Sequence, residues 1–595
     1  MRRERPTRQP PPRRPALTST ASSPRVFMTS PIRLRAAALL PLFAASLFAQ
    51  VATSSLASCA TTGGDGETPM RIFLVAGQSN AEGADANGNE ISNYPPFVGF
   101  GAPQTEAMIW YELGAAGGET SNGWIPMQPA QQSKKFGPEV TFARKVAAET
   151  GDRVGIVKSA KGGTNLAVDW DPDSTSGVQM YSRTITLMQT ALADLTSNGV
   201  AWELAGLVWQ QGENDMLDDN HVAQYGPRLT ALMARFRADL GAPDLPVFVG
   251  GTSFKCIWGL DYADNMRQLL EQQLSAVNAD PKAYFVESSH LAFKINTDNA
   301  PHYHFGTEGQ LQLGEAHADA YLTTIGYDLA HVSEPFTNGL PAQKGDTVRV
   351  FVMAGQRSME GEGAYVSKIA NYPRFAGLDQ PQQNVMYRYR LGGGVHTSTD
   401  WAPLAPVDYL HNYGPELSFG HAADRLLDDP VAVIKITDSA AFLVDWVPTH
   451  PNASRPQYNA ALRFIRQSLT DLSDRGFNPV LEGVLWLPGE HDAWWTPHRN
   501  QYASNLTNLV SSLRTDLGTP NLKWFVAELR DDLLWGDSNM DELDAKIASV
   551  AAADPLLWFV KTGSLSPQPP APTFGPEGCL QLGRLFAQAY ERTLP

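Results

Sequence analysis

The sequence predicts an α/β protein built from two tandem copies of one three-layer α/β/α unit, each around a parallel sheet. Three observations carry this. Short apolar runs of strand type alternate with segments of helical spacing, and such alternation implies a parallel sheet covered on both faces. The alternation restarts after a polar, Pro- and Gly-containing stretch at residues 335–347. Residues repeat as well as pattern: Phe136-Gly137-Pro138-Glu139 matches Tyr413-Gly414-Pro415-Glu416, the run from Leu204 to Asp215 matches that from Leu481 to Asp492, and the run from His304 to Gly314 matches that from Thr573 to Gly583. A repeat of long period in only two copies means two domains, not a solenoid.

In the first copy the strand candidates are Ile72–Ala76, Val154–Lys158, Ala205–Trp209, Val247–Gly250 and Tyr284–Val286. Helical spacing covers Glu139–Glu149, Met180–Thr196, Ala223–Leu240, Tyr262–Val277 and Gly309–Thr323. Right-handed crossovers then favour a flavodoxin-like order of strands. In the second copy strands are expected at Val348–Ala354, Val431–Ile436, Gly483–Trp486, Trp524–Ala527 and Leu557–Val560. The domain plan is a leader at 1–59, a Gly-rich spacer at 60–69, a first domain at 70–334, a linker at 335–347 and a second domain at 348–595.

The leader is unlike the rest. Residues 1–25 are rich in Pro and Arg without apolar periodicity, which predicts disorder and makes Met28 an alternative start. From Met28 the chain carries Arg33 and Arg35, an apolar stretch from Ala36 to Phe48, and then small residues, the layout of a secretory signal peptide. Leu56-Ala57-Ser58-Cys59 resembles the bacterial lipoprotein box, which implies a lipidated Cys59 and a membrane tether. Cleavage of an ordinary signal peptide nearby is the alternative, so export is expected to the cell envelope, the periplasm or the medium. No apolar run after Cys59 approaches the roughly 20 residues of a membrane span.

The formal charge of the 595 residues is -16, and removal of residues 1–58 takes away nine arginines and one glutamate. A chain this acidic is poorly suited to nucleic acid or anionic lipid. Only Cys256 and Cys579 accompany Cys59, which excludes a disulfide framework and leaves a single bridge between the halves open.

The chemistry-bearing residues lie where strands end. Arg71 to Gly83 reads as a buried strand followed by a Gly-bounded polar turn with Ser79 at its centre. Gly162-Gly163 follows the second strand, Gly212-Glu213-Asn214-Asp215 the third, and His304 precedes the last helix. A serine hydroxyl becomes a useful nucleophile when a neighbouring base takes its proton, and histidine does so near neutral pH. The backbone N–H groups of Ser79 and Gly163, with a side-chain amide from Asn214 or Gln211, are candidate donors to an oxyanion. Ser79 read simply as a turn residue, His302 as the base, and His302 with His304 as part of a metal site are the competing readings; no third metal ligand is evident. Trp110, Trp124, Trp170 and Trp258 could stack on sugar rings or serve as packing.

Gly77-Gln78-Ser79-Asn80, Gln211-Gly212-Glu213-Asn214-Asp215, and His304-Phe305 with Gly309-Gln310 resemble the signature blocks of the SGNH hydrolases, and specifically the sialate O-acetylesterase-like and acetylxylan esterase-like carbohydrate esterases. The resemblance spans Arg71 to about Thr323, and more weakly Val348 to the C-terminus. It implies a metal- and cofactor-free esterase that takes acetyl groups from carbohydrate hydroxyls through an acyl-serine, with Ser79 as nucleophile, His304 as base, and Gly163 and Asn214, or Gln211 in its stead, as oxyanion donors. The family commonly places the triad acid three residues before the histidine, where this chain has Pro301. Asp298 is the nearest upstream aspartate and the candidate acid, with Asp215, a backbone carbonyl or a Ser–His dyad as alternatives.

The second copy changes at each of these positions. Arg357 stands for Ser79, Ser439-Ala440 for Gly162-Gly163, Pro488 for Gln211, His491 for Asn214 and Thr573 for His304. A catalytically inactive second domain is expected. Its Arg357 offers either a pocket for a carboxylate or sulfate or a structural ion pair. Two other readings of the whole chain are a non-catalytic carbohydrate-binding or scaffolding protein and a serine esterase for non-carbohydrate esters; oligomeric state is not legible.

Overall fold

The computed structural model describes residues 68–115, 117–253, 262–293, 304–327, 335–407, 410–451, 453, 455–487, 489–529, 537–563, 565 and 573–594. The leader with Cys59, together with Cys256, Trp258, Asp298 and His302, lies outside the described residues.

The first sheet is formed by β1 (Met70–Gly77), β2 (Gln104–Leu113), β3 (Ile125–Met127), β4 (Val154–Ala160), β5 (Trp202–Gln210), β6 (Val247–Gly250) and β7 (Ala283–Val286), in the order β3-β2-β4-β1-β5-β6-β7. All neighbours are parallel except β2 and β3. The five strands expected from the sequence are present, and their order, 2-1-3-4-5, is that of flavodoxin-like sheets, whose ligands sit where the order reverses. Here the reversal lies between β1 and β5, so the turns that carry Ser79 and Gly212–Asp215 leave the sheet side by side.

The sequence reading missed β2 and β3. In β2 the exposed Thr105, Glu106 and partly exposed Glu112 interrupt the apolar run, as expected of a strand near the sheet edge where one face meets solvent. The predicted helix at 223–240 is α5 (Tyr225–Asp239), and a short helix that the sequence reading missed, α4 (Asp219–Ala223), precedes it. Pro227 has no N–H to donate within a continuous helix and is tolerated only in a first turn. The remaining helices are the one-turn α1 (Ser79–Glu82), then α2 (Glu139–Thr150), α3 (Met180–Ser197), α6 (Ala263–Asn278) and α7 (Thr307–Thr324).

The second domain repeats this plan. β8 (Thr347–Gly355), β9 (Gln382–Leu391), β10 (His396–Thr397), β11 (Ala402–Leu404), β12 (Val431–Thr437), β13 (Asn478–Leu487), β14 (Lys523–Ala527) and β15 (Leu557–Val560) form a sheet in the order β10-β9-β12-β8-β13-β14-β15, with β11 paired to β9. Strands β9 to β11 are again the ones the sequence reading missed. Each sheet has an apolar cluster on either face.

Each copy also buries the same ion pair. Lys158 Nζ lies 2.8 Å from Glu139 and donates to the Glu82 carbonyl, while Glu139 accepts from the Gly137 N–H. Lys435, Glu416, Glu360 and Gly414 repeat the arrangement. This explains why Gly-Pro-Glu recurs intact: it is scaffold. Because both partners are 2% exposed, Lys158→Met strands a buried carboxylate and should destabilise the first domain by about 3–5 kcal/mol. Denaturant titration checks this.

Candidate active site

Strand β1 ends at Gly77, whose φ of 146° lets the chain turn. A Cβ there would lie 2.0 Å from the Gln210 carbonyl oxygen, so any other residue would break the close approach of β1 to β5. The turn presents Ser79, which is largely buried, between two anchored neighbours. The Oε1 of Gln78 accepts from the Gly212 and Asn214 N–H groups and from the Gln211 amide, which ties Ser79 to the loop after β5. Asn80 donates to Glu213 at 2.6 Å, and its own Oδ1 accepts from the Phe305 N–H. Gln310, on α7, donates to the Asn80 carbonyl. Gly162 lies against Ser79 from the third side, where an added Cβ would sit 3.4 Å from the serine Cβ. The three sequence blocks and the histidine segment therefore converge around one serine.

His304 Nδ1 lies 2.9 Å from Asp85 Oδ2. A short parallel bridge between Asp85 and Gly306 holds the two segments together. The sequence reading, which looked for a partner just upstream of the histidine, did not name Asp85, which lies in the turn after α1. Asp215 accepts from the Leu166 and Ala167 N–H groups and from Gln211, and the His221 imidazole lies 3.9 Å from it. In the second copy Asp492 accepts from the Leu443 N–H in the same way, so this aspartate is scaffold.

The oxyanion candidates divide. The N–H groups of Ser79 and Gly163 form no hydrogen bond among the described residues, and Gly163, at a φ of 74°, holds a loop conformation that glycine adopts without strain. The Asn214 side chain is likewise uncommitted, its backbone N–H alone being held by Gln78. Gln211 is removed from the set. Its amide donates to Gln78, to the Thr164 carbonyl and to Asp215, and its Oε1 accepts from Tyr225, so it braces the loop and has no donor left for substrate.

Burial pushes the Glu213 carboxyl up, against the Asn80 hydrogen bond and the charge of His304, which favour its ionised form. Of the tryptophans weighed between sugar stacking and packing, the three described ones, Trp110, Trp124 and Trp170, are packing residues. Trp170 is fully buried edge-on against Trp209, and Trp124 is buried with Trp110 packed edge-on to it. Cys579 is buried, its thiol 3.7 Å from the Ser358 carbonyl oxygen, and it forms no disulfide among the described residues. Among the described residues no group of three or more His, Cys, Asp or Glu is placed to hold a metal ion, and no helix is long and apolar enough to cross a membrane.

At the equivalent place in the second copy Arg357 is buried, its Nε 3.7 Å from Glu362, so the structural ion pair is the arrangement found. Ser358 takes over the part of Asn80, accepting from the Phe574 N–H. Gly363 stands where Asp85 does and faces Thr573, the counterpart of His304. Both members of the Asp85–His304 pair are therefore replaced in the second copy.

The turn with Ser79, the Asp85–His304 pair and the backbone N–H groups of Ser79 and Gly163 are gathered at the switch point of a flavodoxin-like sheet, where such folds place their ligands. Residues 69–323 and 347–592 both match the family described as carbohydrate esterase, sialic acid-specific acetylesterase, and the chain belongs to that family. It is 30% identical over 194 residues to a probable carbohydrate esterase of Arabidopsis thaliana, covering 32% of this chain and 64% of the relative. The chain thus spans a little under two thirds of that curated relative. A crystal structure of an Arabidopsis thaliana protein is 24% identical, covers 43% of this chain and 99% of its own, and has a TM-score of 0.32. That of a carbohydrate acetylesterase from Xanthomonas citri is 20% identical, covers 44% of this chain and 58% of its own, and has a TM-score of 0.33.

Proposed function

We propose that the first domain is a serine esterase that removes O-acetyl groups from a carbohydrate, and that the second has no hydrolytic activity. The observation that carries this reading is the Asp85–His304 pair beside Ser79 in one copy, set against Gly363, Thr573 and Arg357 in the other. Ser79 Oγ attacks the acetyl carbonyl as the imidazole of His304 takes its proton. Asp85 fixes the ring by accepting from its Nδ1–H and stabilises the imidazolium that forms. The N–H groups of Ser79 and Gly163 and the amide of Asn214 receive the oxyanion; one such donor is worth about a hundred- to a thousandfold in rate. The tetrahedral intermediate collapses with the sugar oxygen leaving, protonated by His304. Water, deprotonated by the same imidazole, then attacks the acetyl-serine, and acetate departs.

Ser79, His304 and Asp85 form the proposed triad. Export, with Cys59 as a lipid tether, belongs to the same proposal and rests on the leader sequence. Acetate release from a panel of acetylated sialosides, xylans and other polysaccharides tests the reading. Turnover of one class is expected; silence across the panel, with hydrolysis of aryl or lipid esters instead, would move the substrate out of carbohydrate.

A further inference from the structure

We infer that the second domain's former oxyanion loop is a clamp that positions the catalytic histidine of the first; this rests on the esterase reading above. Of four replacements in that loop, three make contacts to the first domain and the fourth, Asp438, holds one of those three in place. Asp438 stands for Lys161, Ser439 for Gly162, Ala440 for Gly163 and Arg455 for Val178. Ser439 Oγ donates to the His290 carbonyl at 2.8 Å. Arg455 donates through Nη1 to Glu287 of the first domain and through Nε to Asp438 of its own, each at 2.9 Å, and Gln457 donates to the same Asp438 oxygen. Ala440 is fully buried in an apolar cluster that otherwise belongs to the first domain and includes Leu291, Phe293 and Phe305. Where the first copy has two glycines, and at Gly163 an N–H with no hydrogen bond among the described residues, this loop has side chains that grip the segment after β7, and the Ala440 N–H is taken up by Asp438.

That segment leads directly to the site. Phe293 bridges to Phe305, the residue after His304, and their rings meet edge to face at 4.7 Å. The Ala292 N–H donates to Gln312 on α7. Gly309 lets the first turns of that helix rest on the Ala292 carbonyl, where a Cβ would come within 1.9 Å. From Arg455 and Ser439 the contacts therefore run through 287–293 to Phe305, which is also fixed to Asn80 next to the nucleophile. Arg455 is buried, its side chain only 8% exposed, so its charge is not screened by solvent and its orientation is held by both carboxylates. Arg455 and Ser439 are positioning residues; neither has a partner in the reacting set.

The test uses the full chain with Arg455→Met, Arg455→Lys and Ser439→Ala. Reaction of a serine-directed phosphonate with Ser79 is timed, steady-state kinetics are measured on a small aryl acetate, and hydrogen exchange is followed in peptides covering Phe305–Gly314 and, as a control, β1. Arg455→Met should label to the same stoichiometry as the wild type but roughly 10- to 100-fold more slowly, with kcat lowered in step, KM unchanged, and faster exchange confined to Phe305–Gly314. Arg455→Lys should recover part of the rate, and Ser439→Ala, which removes one hydroxyl, should show a smaller loss and decides the matter if Arg455→Met does not fold. Wild-type rates and exchange in Ser439→Ala and in the folded Arg455 variants would overturn the clamp. A wild-type chain that is not labelled at Ser79 would overturn the esterase reading, whatever the exchange data show.

Discussion

Ser79→Ala should lower kcat for acetate release by about ten-thousand- to a millionfold, the range seen when the nucleophile of a serine hydrolase is removed. The fold should be unaffected. The hydroxyl's single hydrogen bond among the described residues is a long one, 3.4 Å from Gln78 Nε2, so its loss costs no more than about 1 kcal/mol. The anchors of the turn, Gln78 and Asn80, stay in place. Nor can the second copy compensate, because its equivalent residue is the buried Arg357. Steady-state kinetics beside a thermal melt check both halves of the expectation. Residual turnover within tenfold of the wild type would place the nucleophile elsewhere.

Asp85→Asn should cost about a hundred- to ten-thousandfold in kcat. Asparagine keeps the size of the side chain, but in place of the carboxylate it offers a neutral amide, which neither stabilises an imidazolium nor enforces the tautomer whose free nitrogen faces the serine. Asp85 is about one-third exposed at its side chain, so water can partly stand in for it, and this sets the lower end of the range. KM for a small ester should move little, since Asp85 reaches substrate only through the imidazole. A variant with unchanged kcat would show that His304 is oriented by something other than Asp85.

Much of this arrangement was legible in the sequence, and the reasons it was, or was not, are physical. Four of the five predicted strands of the first sheet, β1, β4, β5 and β6, lie inside it and carry continuous apolar runs, the edge strand β7 carries a short one, and their order followed from crossover handedness. Strands β2 and β9 escaped because edge exposure mixes Glu, Gln and Arg into them. Ser79, Gly163, Asn214 and His304 could be singled out in the sequence because each follows or precedes a regular element. Gln211 was misassigned because its amide chemistry suits an oxyanion hole, and only the structure shows that its hydrogen bonds go to Gln78, Thr164 and Asp215. Asp85 escaped because the search for an acid followed chain proximity to His304, whereas the partner is 219 residues away. A signal did exist. Comparison of the two copies, carried past Ser79, sets Asp85 against Gly363 as it sets His304 against Thr573, and residues lost together from a degenerate copy are candidates for one function.

The same comparison separates scaffold from chemistry elsewhere. Lys158 with Glu139, Asp215 with the Leu166 N–H, and Gln78 all have counterparts in the second copy, whereas Ser79, Asp85, Gly163, Asn214 and His304 do not. What persists builds the sheet edge, and what differs includes the proposed machinery together with Gln211, the loop brace that Pro488 replaces.

The central claim, that one copy carries the nucleophile and the other none, is tested most directly by labelling the full chain with a serine-directed phosphonate and locating the adduct by mass spectrometry. One adduct per chain, on the peptide containing Ser79 and absent from Ser79→Ala, is the expected result. An adduct on any serine between Thr347 and Pro595, or none on Ser79, would contradict it.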